Sequence, residues 1–345
     1  MTGRVPANAE DLLRRFGAHT ASWVLLEGRK CYLTRRGVEG FVAWETRVGC
    51  PVIAGDPVCD PRDAATLISA VRRRSVPRPV FAYAASPALR AAWASAGFGA
   101  VPIGAEPVFD PRRFTLAGGA RATVRAAVNH ATRSGLSVVE HHPQSAGAKG
   151  RNAELEEISA LWLAGKGSDE LGFLLGQPQL NVPTAKRYFV AQGTRVEGFL
   201  VCEPVWARQG WYLDVTRRRP DAPRGTMELL VTETLRLLGT EGVPFASMGL
   251  SPLARLDAPD APPSDSPRLS ALLAEAFGRL TTPYDFRDLA RYKAKFAPDV
   301  WEHRLLCYSG PLAERLARFA LERALRRAPP REVRTPPTES VGSAR

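Results

Sequence analysis

Residues 211–239, WYLDVTRRRPDAPRGTMELLVTETLRLLG, read as a strand that runs through an arginine-rich loop into a helix. The strand carries Asp214 and Arg217 to its C-terminal end, and the Pro220 and Pro223 turns stop it. Gly225 and Thr226 then open a helix whose apolar positions, Met227, Leu230, Val231, Leu235 and Leu238, recur at helical spacing. A helix start exposes unpaired N–H groups and the positive end of a dipole. Beside Arg217, Arg218, Arg219 and Arg224 it reads either as a phosphate cradle or as a solvated arginine loop.

Outward from this junction, strands and helices alternate. Segment 23–60 (WVLLEGRKCYLTRRGVEGFVAWE, then CPVIAGDPVCDP) suggests consecutive antiparallel strands. A helix over 66–74, a strand at 80–86 and a helix closed by Gly97 complete a first α/β unit. The stretch FDPRRFTLAGGA (109–120) marks its end, so units are expected at 1–117 and 118–328. The second opens with RATVRAAVNHATRSG, whose Val124, Val128 and Ala131 share one helical face while Arg121 and Arg125 share another. The Pro/Asp-rich segment 256–268 reads as a mobile loop and the tail 329–345 as disordered. PLAERLARFALERALRR (311–327) reads as an amphipathic helix that packs on its own domain or lies on an anionic bilayer.

Composition narrows the function. With 345 residues, 45% of them hydrophobic, the chain can bury the core of about two domains. Its 47 Lys+Arg against 35 Asp+Glu give +12, which favours polyanionic partners: nucleic acid, lipid headgroups or phosphorylated substrates. Five scattered cysteines without C-x-x-C spacing read as reduced thiols, and no stretch has the apolar length of a membrane span or signal peptide, so a cytoplasmic chain is expected. GLSPL (249–253) lacks the second glycine of a hydrolase elbow, the five histidines show no metal spacing, and Walker and dinucleotide fingerprints are missing. Neither cofactor nor metal is therefore expected. The 211–239 junction is also where acetyl-CoA-dependent GNAT enzymes bind pyrophosphate, but RPDAPRGTM lacks the first glycine of their loop.

Taken in order, several blocks resemble the soluble catalytic domain of the phosphatidylglycerol lysyltransferases, the aminoacyl-phosphatidylglycerol synthases. They are GDPVCDP (55–61), IGAEPVFDPRRFTLAG (103–118), the R-x-x-V-R-x-A-V-N helix (121–129), LWLAGKGSDELGFLLG (161–176), YLDVTRRRPDAPRGTMELL (212–230), SMGLSPLA (247–254) and YDFRDLARYKAKFAPDVWEHR (284–304). The resemblance implies an α/β (α+β) fold of two tandem GNAT-like acyltransferase domains with mixed, largely antiparallel sheets. It also implies transfer of an amino acid, lysine or similar, from aminoacyl-tRNA to the hydroxyl of phosphatidylglycerol or a related anionic phospholipid, with peripheral membrane contact. The family's multi-span membrane region has no counterpart in this sequence.

Moving an aminoacyl ester to a hydroxyl requires a positioned nucleophile, a proton acceptor and a held oxyanion. The family's D-x-x-R motif falls on Asp214 and Arg217: the carboxylate would hold the donor amine or orient the hydroxyl, and the guanidinium would bind phosphate or the oxyanion. Lys295 would add catalytic charge and Lys293 would bind substrate; on a strand the two would share a face, on a helix they would diverge. Arg218, Arg224, Gly225, Thr226, Arg121 and Arg125 are further substrate-binding candidates. Glu170 would contact the donor amine or cap a helix. Two other readings stay open: an acyltransferase with another donor or acceptor, such as a peptide amine, and a non-catalytic module that binds RNA or anionic membrane.

Overall fold

The computed structural model describes residues 4–28, 30–47, 49–166, 174–279 and 286–309, with 313 and 316. Its strands are β1 (Cys31–Arg35), β2 (Val38–Arg47), β3 (Cys50–Ala54), β4 (Val58–Cys59), β5 (Val80–Ala85), β6 (Gly99–Phe109), β7 (Ser137–His141), β8 (Arg187–Gln192), β9 (Val196–Val205), β10 (Gly210–Arg218), β11 (Phe245–Ser247), β12 (Ser251–Pro252) and β13 (Val300–Ser309). The helices are α1 (Ala9–Phe16), α2 (Ala64–Ser75), α3 (Arg90–Ser95), α4 (Ala122–Arg133), α5 (Lys149–Lys166), α6 (Thr226–Thr240), α7 (Pro267–Arg279) and α8 (Phe286–Ala294). This is a mixed α/β architecture, and its strands join in one sheet in the order β1-β2-β3-β5-β13-β6-β11-β10-β9-β8-β7. Among the described residues the pairings are antiparallel, except β3 with β5 and β10 with β11.

Strand order shows an exchange between the halves. Each half runs an antiparallel meander into a parallel strand: β1-β2-β3 into β5, and β8-β9-β10 into β11. The final strand of each half then pairs with the other half. β6 lies against β11, and β13 inserts between β5 and β6, pairing with β6 from Val300 to Tyr308 and with β5 from Leu305 to Ser309. Core side chains alternate across the sheet as the two-residue period requires. Phe41 and Ala43 of β2 enter one cluster while Val42 and Trp44 enter the cluster under α2 and α3. On β9, Leu200 and Cys202 pack with Leu230 and Leu235 of α6, and Phe199 and Val201 with Leu155 and Ile158 of α5.

Local rules hold at the helices. α2 buries Ala64, Leu67, Ile68 and Val71, one helical face. Gly97 at φ +80° and Gly135 at +83° follow α3 and α4, in the left-handed region that closes helices. Gly225, at φ +90°, lets α6 start against α4, where a Cβ would lie 2.1 Å from the Ala127 carbonyl oxygen.

Two local expectations change. Residues Trp23–Leu26 form a 3₁₀ turn in place of the expected strand, with Trp23 and Leu25 in one core cluster and Val24 in another. The segment 256–268 is tied down at its end: Asp265 N–H donates to the Ala100 carbonyl, Asp265 Oδ2 accepts from Ala100 N–H at 2.8 Å, and Arg90 reaches Oδ1 at 2.5 Å. Most of 311–327 and all of 329–345 lie outside the described residues; Ala313 and Leu316 pack on the first core cluster. No helix among the described residues is long and apolar enough to cross a membrane.

Removing residues 300–309 would strip the hydrogen-bonded neighbours from both β5 and β6, so that variant is expected to show no cooperative thermal transition by circular dichroism. Gly225→Ala adds backbone strain and a close contact with α4, an expected loss of roughly 2–4 kcal/mol in urea unfolding.

Candidate active site

β10 and β11 pair only from Gly210 to Tyr212, and beyond Tyr212 they part. A cavity of about 230 Å³ opens at the split. At that point β10 carries a bulge: Leu213 faces Cys202 and Val215 faces Val201, so Asp214 is the extra residue, turned out of the ladder and toward the cavity. Ala84 is the corresponding extra residue of β5 against β13, with φ +63°, and lines the same space.

Asp214 Oδ2 accepts the Gly176 N–H at 2.5 Å and the Tyr212 hydroxyl stands beside the carboxylate, while Oδ1 is buried without a hydrogen-bond partner among the described residues. Burial pushes this carboxyl up from 3.8 to about 6, against the pull of the Tyr212 hydroxyl, Lys186 and the Gly176 N–H. Arg217 follows on the same strand, lines the cavity and stacks over Trp162 at 5.2 Å. Lys293 enters from α8, its Nζ donating to the carbonyls of Gly249 at 2.9 Å and Leu250 at 3.0 Å. Burial lowers its ammonium from 10.5 to about 8, opposed by the negative charges of Glu106 and Asp214. One carboxylate with a free oxygen thus shares a cavity with two cations, a set able to take up a proton and hold a developing negative charge.

The other sequence candidates sit elsewhere. Lys295 turns away from Lys293, as a helix dictates, to pair with Glu228 and cover the Tyr292 ring at 4.0 Å. Arg121 donates to the Phe296 and Ala297 carbonyls and covers Phe114, and Arg125 donates to those of Leu116 and Gly118. Arg218 bonds the carbonyls of Arg219 and Pro220, and Arg224 is exposed. Thr226 Oγ1 donates to the Pro223 carbonyl, and Gly225 serves helix packing. None of these lines the cavity. Glu170 lies outside the described residues.

Three further polar side chains that sequence patterning did not single out line the cavity: His19, Glu106 and Tyr212. His19 Nδ1 accepts the Ala21 N–H, so the ring is held with its proton on Nε2, which donates to the Ala84 carbonyl at 2.7 Å. Glu106 is buried against Arg304 at 3.0 Å. A signal did exist for Glu106 and for Glu203 behind Asp214, since each is a lone acid inside an apolar strand run, VPIGAEPVF (101–109) and FLVCEPV (199–205).

The C-terminal family model of the phosphatidylglycerol lysyltransferases matches residues 10–308. The lysylphosphatidylglycerol biosynthesis bifunctional protein LysX of Mycolicibacterium vanbaalenii is 28% identical over 319 residues, covering 89% of this chain and 28% of that protein. The phosphatidylglycerol lysyltransferase of Bacillus subtilis is 28% identical over 214 residues, 61% of this chain and 24% of the relative. The chain therefore spans only about a quarter of the length of these relatives. Among solved structures, the fold is shared with L-PGS from Bacillus licheniformis (TM-score 0.78, 22% identity, 94% of this chain and 98% of that one). It is also shared with the C-terminal domain of a putative lysylphosphatidylglycerol synthetase from Agrobacterium fabrum (0.74, 24%, 92% and 97%). With the family pattern running from α1 to the end of β13, the chain belongs to the phosphatidylglycerol lysyltransferase C-terminal family.

Proposed function

We propose that this chain transfers an aminoacyl group, lysyl or similar, from aminoacyl-tRNA to the hydroxyl of phosphatidylglycerol or a related anionic lipid. The observation that carries the reading is the meeting of Asp214, Arg217 and Lys293 in one cavity, with Asp214 Oδ1 left without a partner among the described residues. Family membership and the charge of +12 fit two polyanionic reactants. In this reading residues 1–117 and 118–328 are two acyltransferase-like units, the cavity draws on both, and the protein meets the bilayer peripherally from the cytoplasm.

The chemistry is a transesterification. Asp214 Oδ1 takes the proton of the acceptor hydroxyl as that oxygen bonds the ester carbonyl carbon. Arg217 and Lys293 hold the resulting oxyanion. The bond from that carbon to the tRNA terminal oxygen then breaks, and the departing oxygen receives the proton back from Asp214. Protons therefore balance within the site. Incubating the protein with radiolabelled aminoacyl-tRNAs and phosphatidylglycerol vesicles is expected to place label in the lipid extract; transfer from none of the tRNAs would refute the reading.

Asp214→Asn is expected to lower kcat by about 10²–10⁴-fold, and Lys293→Met by about 10²–10³-fold, with unchanged circular dichroism. Lys295→Ala, outside the cavity lining, is expected to retain transfer within a few-fold.

The pH profile has a definite sign. Asp214 must be ionised to accept a proton, and its carboxyl sits near about 6, so the rate falls as the pH drops below that value. Lys293 must be protonated, and its ammonium sits near about 8, so the rate falls again above it. Initial rates corrected for spontaneous ester hydrolysis are expected to trace a bell between these limbs; a rate independent of pH across both would contradict the assignment.

A further inference from the structure

Behind the cavity lies a group of buried charges that the transfer reaction does not use. The Lys186 side chain is fully buried, with Nζ 2.6 Å from Glu27 Oε1, 2.7 Å from Glu203 Oε1 and 2.6 Å from the Gln177 carbonyl oxygen. The backbone of Gly176 and Gln177 threads among them. Gln177 N–H donates to Glu27 Oε2 at 3.1 Å, and Gly176 N–H donates to Asp214 Oδ2 at 2.5 Å. A side chain at 176 would displace both carboxylates, since a Cβ there would lie 1.7 Å from Glu203 Oε1 and 2.8 Å from Asp214 Oδ2. The ammonium that holds the Gln177 carbonyl therefore also fixes the neighbouring N–H against the Asp214 carboxylate. Among the described residues, Lys186 and Glu27 are the side chains that bond this two-residue backbone and also act on Asp214 by their charge.

We propose that Lys186 is a positioning residue for Asp214: braced by Glu27 and Glu203, it presses the Gly176–Gln177 backbone onto the carboxylate and sets its orientation and charge. The inference deepens the aminoacyl-transfer reading and rests on it for the reaction, though not for the geometry. The brace joins the two halves, since Glu27 follows the Trp23–Leu26 turn while Lys186 immediately precedes β8 and Glu203 lies within β9 of the second half. The remaining groups facing Asp214 are Tyr212 and Arg217 of its own strand and Cys202 of β9. Lys293 comes from α8, and Glu106 and His19 line the opposite wall.

Electrostatics makes the two ends of the brace act in opposite directions. A cation beside an acid favours its ionised form, and an anion disfavours it. Lys186→Met is therefore expected to move the acid limb of the pH–rate profile upward by about one pH unit, a rate loss of about tenfold below the limb, with KM for the lipid little changed. Glu27→Gln keeps the Lys186–Glu203 pair and an acceptor for Gln177 N–H, and is expected to move the limb downward. Disruption of the fold would not separate the two by sign.

The decisive experiment measures both variants by two readouts: the pH–rate profile, and the titration of the Asp214 carboxyl band in infrared difference spectra assigned with Asp214→Asn. The spectrum needs no turnover, so it reports on the brace even if the protein transfers no amino acid. Opposite displacements of the Asp214 titration support the proposal. Displacements of the same sign, or none, overturn it. Should Lys186→Met fail to fold, Glu27→Gln alone decides: a downward shift supports the brace, and an unmoved titration refutes it.

Discussion

The exchange of final strands between the halves is the constraint on which the molecule depends. β13 fills the gap between β5 and β6, and β6 in turn supplies the neighbour of β11, so the backbone groups of four strands are satisfied only when both halves are present. The exchange also assembles the site. β6 carries Glu106 to the cavity, and the chain returning toward β13 carries α8 with Lys293. Asp214 and Arg217 come from β10, where separation from β11 leaves room between strands. The cavity is thus a product of sheet topology, and neither half encloses it alone.

Holding several ionised groups at such a place costs desolvation, which partners must offset. Lys186 is ringed by two carboxylates and a carbonyl, Arg304 lies against Glu106 and Glu302, and Lys293 has two carbonyl acceptors. Asp214, which lines the cavity, has one oxygen clamped and the other without a hydrogen-bond partner among the described residues, as have Glu203 Oε2 and Arg304 Nε away from the cavity lining. An acid and an ammonium with titration points drawn together, near 6 and near 8, are both charged only around neutral pH. That proximity follows from burial, which raises the acid and lowers the base.

The arginine-rich character of the chain has a more local use than its net charge suggests. Arg121, Arg125 and Arg218 donate to backbone carbonyls, and Arg187 forks between Glu140 and Glu241. Arg219 joins the Val196 carbonyl to Glu157. A guanidinium has five donors in a rigid fork, suited to tying loop carbonyls that no strand or helix satisfies. The arginines at 121, 125, 218 and 219 are therefore structural in their immediate contacts.

What the sequence alone determined follows from short-range rules. The helical spacing in 226–238, the glycines after α3 and α4, the alternation along β2 and β9, and the placing of Asp214 and Arg217 on one strand are encoded within a few neighbouring residues. The two lysines of YKAKF illustrate the limit: helical geometry dictates that they diverge, but only packing decides that Lys293 turns inward while Lys295 pairs with Glu228. Tertiary structure alone chose the partners of β6 and β13, the bulge at Asp214 and the convergence of Glu27, Lys186 and Glu203. These features join residues far apart in the chain, and no local preference records which distant group will neutralise a buried charge or pair with an open strand edge.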